Sequence, residues 1–123
     1  MFRKIMPVGF LLITISITGC VSTTPSSMQT NGSDASYASD KNAKSVAECI
    51  VGKWEDAKVI GSGPIANNRP TSTGYRVTLH FGDRLQYMAD IDSAANGSKT
   101  KFYVSKVSSF GKDPRNIEVE SCQ

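Results

Sequence analysis

Apolar residues in the middle of the chain fall at Ala43, Val46, Ala47, Ile50, Val51 and Trp54. Steps of three and one put them on a single helical stripe. Lys41, Lys44, Glu48 and Lys53 fall off the stripe, so the pattern predicts an amphipathic helix with a solvated side. Ser39 or Asp40 is placed to cap it. Gly52 is about 1 kcal/mol less favourable than Ala within a helix and weakens the last turn. The period then changes to two. Tyr75, Val77, Leu79 and Phe81 alternate with Arg76, Thr78 and His80; Leu85, Tyr87, Ala89 and Ile91 alternate with Gln86, Met88, Asp90 and Asp92. With Gly82-Asp83-Arg84 between them, the two runs predict a hairpin with one buried face. Asn96-Gly97 marks a second reversal. Thr100, Phe102 and Val104 continue the alternation in a further strand, with Tyr103 on its outer side.

Shorter runs flank this centre. Ala57–Ile60 reads as a first strand and Ile117–Glu120 as a last one. The segment from Gly61 to Thr73, with its glycines, prolines and Asn67-Asn68, reads as a long loop, and loops of that length are often functional or mobile. Val21 to Ala38 is rich in Ser and Thr and poor in large apolar residues, so it reads as a flexible tether with a reach of roughly 20–25 Å. Together these elements predict an α+β fold. An N-terminal amphipathic helix packs on an antiparallel β-meander of four to five strands, in a globular domain over residues 39–123. A small β-barrel with a flanking helix is the alternative.

The first twenty residues follow a different pattern. Arg3 and Lys4 precede an uncharged, mostly apolar run from Ile5 to Ile17, which is shorter than the ~20 apolar residues of a spanning helix. The run ends in Ile17-Thr18-Gly19-Cys20. This ending resembles the lipobox of bacterial lipoproteins, in which an apolar residue, a small residue and Gly or Ala precede the lipidated cysteine. The resemblance covers the signal alone. It implies a signal peptide over residues 1–19, cleavage between Gly19 and Cys20, a diacylglyceryl group on the Cys20 thiol and an acyl chain, such as palmitate, on its new amino group. Several chains are needed, because one gives only marginal, reversible membrane binding. Val21, in place of the Asp that retains such proteins at the inner membrane, implies the inner leaflet of the outer membrane, facing the periplasm.

That reading changes the charge and cysteine counts. The full chain has 123 residues and a formal charge of +3. Loss of Arg3 and Lys4 takes its fourteen basic residues to twelve, against eleven acidic, so the mature domain is nearly neutral. No dense cluster of Lys and Arg argues for nucleic acid. With Cys20 lipidated, two of the three cysteines are left, Cys49 and Cys122. An oxidising compartment makes a disulfide between them the expectation, worth on the order of 4 kcal/mol for so long a loop. Two free thiols are the alternative. Helical and strand parity place both residues at the periphery of the core.

Candidate chemistry is sparse. His80 is the single histidine, with Arg76 and Thr78 on its side of a strand, and no nucleophile motif accompanies it. Asp90 and Asp92 share one strand face about 7 Å apart. With Asn96 and Gly97 they approach a calcium loop, but Ala94 and Lys101 stand where further oxygen ligands are required. No metal or other cofactor is expected, and the two carboxylates read as solvated charges. The resulting expectation is a non-enzymatic envelope lipoprotein. It is bound to the membrane through its lipid and acts as a binding or scaffold module toward an envelope protein or a cell-wall component. A periplasmic inhibitor or immunity protein is a second reading and a small wall hydrolase a third.

Overall fold

The structure, a computed structural model, describes residues 23–56, 65–105 and 114–123. Eight elements follow in order: α1 (Pro25–Asn31), β1 (Ala35–Ser39), α2 (Ala43–Glu55), β2 (Ile65–Pro70), β3 (Gly74–Phe81), β4 (Arg84–Ala94), β5 (Gly97–Val104) and α3 (Pro114–Ser121). The fold is α+β. Its five strands form one antiparallel sheet in the order β1-β5-β4-β3-β2, open at β1 and β2, so it is not a closed barrel. Strands β2 to β5 are a meander; β1 returns to pair with β5, Ala35 opposite Phe102 and Ser39 opposite Ser98.

The expected helix is α2, and its stripe faces the sheet. Ala43, Val46, Ala47, Ile50 and Trp54 are buried, while Lys41, Lys44, Glu48 and Lys53 are exposed. Its cap is Asn42 instead of Ser39 or Asp40. Asn42 Oδ1 accepts from the Ser45 amide at 2.8 Å, because β1 already uses Ser39 as its last residue. Under α2 lies the main core, with Val77, Leu79, Ala89, Ile91 and Phe102 from the sheet. Trp54 meets Tyr87 and Phe102 at centroid distances of 6.3 Å each, and Tyr87 stacks on Phe102 at 6.0 Å. Such contacts add to the area that the rings bury.

Three departures from the pattern have local causes. First, residues 24–39 are not a tether. Thr24 and Ser27 cap α1 reciprocally, side chain to amide in both directions, with Pro25 in the first turn. Met28 is the one buried residue of α1, and it packs with Leu85, Met88 and Tyr103 on the sheet face away from α2. Second, the segment read as a loop holds an edge strand, β2, which pairs with β3 along its whole length. Its side chains are largely exposed, so it carries no alternation; backbone hydrogen bonds recruit it, and Pro70 stands at its end, as an edge allows. Third, residues 117–120 are helical. Ile117 and Val119 suggest a strand, but Ile117 is half exposed and the buried pair is Val119 with Cys122, three residues apart. Pro114 at the first position and the Arg115–Glu118 ion pair at 2.8 Å suit the helix. The strand expected at Ala57–Ile60 lies outside the described residues.

One shift within the sheet moves a side chain to the other face. The β3–β4 register slips between Leu79 and His80, so Leu79 opposes Tyr87 while His80 opposes Leu85. Simple alternation puts Leu85 with Tyr87 in the main core. The bulge turns it over to Met88 and Met28. Gly97 shows the closeness of the β1–β5 edge. It holds φ +146°, and a Cβ there would come within 2.8 Å of Asp40 Cα and closer still to the Ser39 carbonyl.

Candidate functional site

Two sequence-flagged positions, Gly19 and Cys20, lie outside the described residues. The other flagged cysteines come together. Cys49 on α2 and Cys122 after α3, 73 positions apart in sequence, stand with sulfurs at disulfide distance and Cα atoms 5.7 Å apart. Cys122 is fully buried, not peripheral, because α3 turns it under α2. Cys49 is the partly buried partner at the helix flank. The linkage joins α2 and α3 and leaves the opposite face of the sheet untouched.

That opposite face carries the polar chemistry. On β3 it presents Arg76, Thr78 and His80; on β4, Met88, Asp90 and Asp92; on β5, Lys101 and Tyr103. Arg76 and Asp90 are direct cross-strand neighbours, and Lys101 opposes Asp90 from the other side. The Arg76 Nε donates to Asp90 Oδ1 at 2.7 Å, and a second guanidinium nitrogen donates to Oδ2 at 3.3 Å. Gln29, on α1, donates its Nε2 hydrogen to the same Oδ2 at 2.8 Å. Asp90 is 8% exposed, so it is a buried, three-times-bonded carboxylate and not a solvated charge. Its hydrogen bonds hold the Arg76 guanidinium above its ordinary pKa. Asp92, one step toward the strand end, accepts from Thr73 Oγ1 at 2.6 Å.

Tyr103 departs from expectation too. Parity makes it an outward residue, but α1 covers it and it is only 5% exposed. Burial raises its pKa above the usual phenol value, and the charges of Asp90 and Asp92 push the same way, against Arg76.

Arg76 lines two clefts on this face. The first, about 270 Å³, runs over Asp90, Asp92, Lys101 and Tyr103 to the hydroxyls of Thr71 and Thr73. It offers acceptors and donors in balance. The second, about 200 Å³, lies between β2 and β3 and is lined by Pro25, Asn67, Arg69, Arg76, Thr78 and His80. Arg69 stands directly opposite Arg76 across the strand pair, with Asn67 opposite Thr78. His80 Nδ1 is buried and has no hydrogen-bond partner among the described residues. His80 sits where strand parity puts it, but among the described residues no carboxylate orients that nitrogen as a catalytic dyad requires.

Arg69, Asn67 and Gln29 escape sequence reasoning. Each sits in a segment read as irregular, with no periodicity to assign it a face. The sole available signal is in the α1 cap, Thr24-Pro25-Ser26-Ser27, which fits a helix start. Among the described residues, no group of three or more His, Cys, Asp or Glu side chains could hold a metal ion, and no helix is long and apolar enough to cross a membrane. Comparison with protein-family models, with curated proteins and with solved structures found no match to this chain.

Proposed function

We propose that this chain is a lipid-anchored envelope protein whose folded part is a non-enzymatic binding module. The observation that carries the reading is Ile17-Thr18-Gly19-Cys20 at the end of a basic and then apolar start. Cleavage before Cys20 leaves that residue as the new N-terminus, with its thiol and amine acylated. Cys49 and Cys122, already at bonding distance, then form a disulfide in an oxidising periplasm. The domain faces the periplasm from the outer membrane and offers its polar face to an envelope protein or to a wall component. What favours binding over catalysis is the state of its polar groups. Asp90 is consumed by Arg76 and Gln29, and among the described residues no acid bonds to His80 Nδ1.

Order in residues 24–39 alters the geometry of the anchor. Only Val21, Ser22 and Thr23 separate Cys20 from the Thr24 cap, a fully extended span of about 14 Å at most. The domain is thus held against the lipid surface instead of reaching into the periplasm.

Two measurements test the proposal on the protein expressed in a Gram-negative host. Intact-mass analysis of the membrane fraction is expected to show a chain beginning at Cys20 and carrying three acyl groups. The Cys20→Ala variant is expected to keep its signal and lose the acyl mass. A chain that retains residues 1–19 with an unmodified Cys20 would overturn the reading.

A further inference from the structure

The cleft between β2 and β3 carries charge that the fold does not use. Arg69 and Arg76 are directly opposed across an antiparallel pair, an arrangement that is unfavourable for like charges unless something neutralises it. Asp90 answers Arg76 alone, from the β4 side, through Nε and one terminal nitrogen. The guanidinium keeps further N–H groups beyond those two bonds. Arg69 is exposed, and among the described residues no carboxylate pairs with it. Two steps from Arg76 on the same strand face is the Thr78 hydroxyl, and two steps further is the buried, partnerless Nδ1 of His80. Asn67 adds an amide. The cleft thus holds two guanidinium forks, a hydroxyl, an amide and an imidazole nitrogen in about 200 Å³, with one positive charge left over.

We infer that this cleft binds a phosphate group. Guanidinium forks suit tetrahedral and planar oxyanions alike, but three or more oxygens are needed to reach Arg69, Thr78 and His80 together, and phosphate supplies them. His80 lines the same cleft, and its Nδ1 is a buried polar atom left without a hydrogen-bond partner among the described residues. The source of the phosphate follows if the anchor proposed above is correct. Pro25 lines the cleft, and it lies five residues from Cys20, so the cleft opens close to the lipid headgroups and a headgroup phosphate can enter it. Binding itself does not depend on the anchor.

The test uses the full chain purified in a non-ionic detergent, titrated with inorganic phosphate or with glycerophosphoglycerol, the soluble headgroup of phosphatidylglycerol. Sodium chloride at matched ionic strength is the control, and thermal unfolding is the readout. Both probes are expected to raise the midpoint saturably above the chloride control. A larger rise with glycerophosphoglycerol assigns the site to lipid headgroups; a larger rise with inorganic phosphate assigns it to free phosphate. Arg69→Ala is expected to weaken binding roughly tenfold, and Thr78→Val by a few-fold. Arg69 is exposed on an edge strand, so its replacement is not expected to disturb folding; Arg69→Gln serves if it does. No saturable rise with either probe, or the same rise in wild type and the Arg69 variants, would overturn the inference. Because the site is read in detergent, an unlipidated Cys20 would refute the anchor and leave this result standing.

Discussion

The two faces of the sheet are built on opposite terms. The face under α2 and α3 is dry, aromatic and cross-linked: Trp54, Tyr87 and Phe102 fill it, and Cys49 meets Cys122 at its border. Among the described residues, the other face is covered by one seven-residue helix, which a reciprocal cap closes and which one buried methionine and one amide–carboxylate hydrogen bond hold to the sheet. Its buried groups are Met28, Leu85, Met88, Tyr103 and Asp90, the last paired with a partly buried Arg76. With the inferred phosphate cleft on the second face, stability and the proposed recognition fall on opposite sides of the sheet. The first face spends its side chains on burial against α2 and α3, whereas the second exposes cations and hydroxyls that stability alone does not explain.

The strongest way to break the comparison is to strike the dry face. Trp54→Ala removes the largest fully buried side chain. It is expected to cost about 3–5 kcal/mol, measured by denaturant unfolding of the oxidised protein. A loss below about 1 kcal/mol would show that the aromatic cluster is not the stabilising centre. Next comes the cross-link. Cys49→Ser with Cys122→Ser is expected to cost on the order of 4 kcal/mol for a loop of this length, with the polar face unchanged in phosphate binding. Should the double variant lose phosphate binding while still folded, the two faces are not independent.

How much of this was legible in the sequence follows the same division. On the dry face the periodicities of three and two are driven by burial, so α2, β3, β4 and β5 could be read from spacing alone. The polar face has no such driver. β2 turns only Ala66 toward the core and is held chiefly by its backbone pairing with β3; α1 buries one residue in seven. Neither leaves a hydrophobic pattern. Leu85 shows a subtler failure. Its alternation with Tyr87 is intact in the sequence, and only the register slip beside His80, a tertiary feature, reverses its face. Ile117 and Val119 mislead for the converse reason: two apolar residues two apart fit a strand, but the three-residue step from Val119 to Cys122 is what the fold buries. The cleft was therefore half visible, with Arg76, Thr78 and His80 on a strand that could be read and Arg69 and Asn67 on one that could not.

A medium effect is expected at the boundary between the faces. Asp90→Ala leaves Arg76 with its guanidinium partly buried and unpaired, and it frees Gln29 from the sheet. The loss of charge-assisted hydrogen bonds is expected to cost about 2–3 kcal/mol by denaturant unfolding. The same variant sharpens the ligand reading, since an Arg76 without Asp90 has all its donors to offer. Phosphate binding is expected to tighten, not weaken, provided that the fold holds. Weaker binding would mean that Asp90 positions Arg76 for the cleft instead of competing for it.

The smallest effect separates local from global order. Thr24→Ala removes the hydroxyl that accepts from the Ser27 amide, and Ser27 can still bond back to the Thr24 backbone. A lost cap is worth about 1 kcal/mol. Because α1 is attached to the sheet chiefly through Met28 and Gln29, it can open without unfolding the dry face. The cost is therefore expected to fall on α1 itself: faster amide exchange across Pro25–Asn31 and easier alkaline titration of Tyr103, which α1 helps to bury, with the global unfolding midpoint nearly unchanged. The sign for Tyr103 follows from burial as the main cause of its raised pKa. Its neutral form is favoured in the folded state, so this stabilisation is complete below the ordinary phenol range near pH 10. It fades as pH climbs from there through the raised pKa. An opened α1 lowers that folded pKa and narrows the window. If instead Thr24→Ala lowers the global midpoint by the full worth of the cap, α1 unfolds only with the rest of the domain. The polar face would then be as firmly built as the dry one.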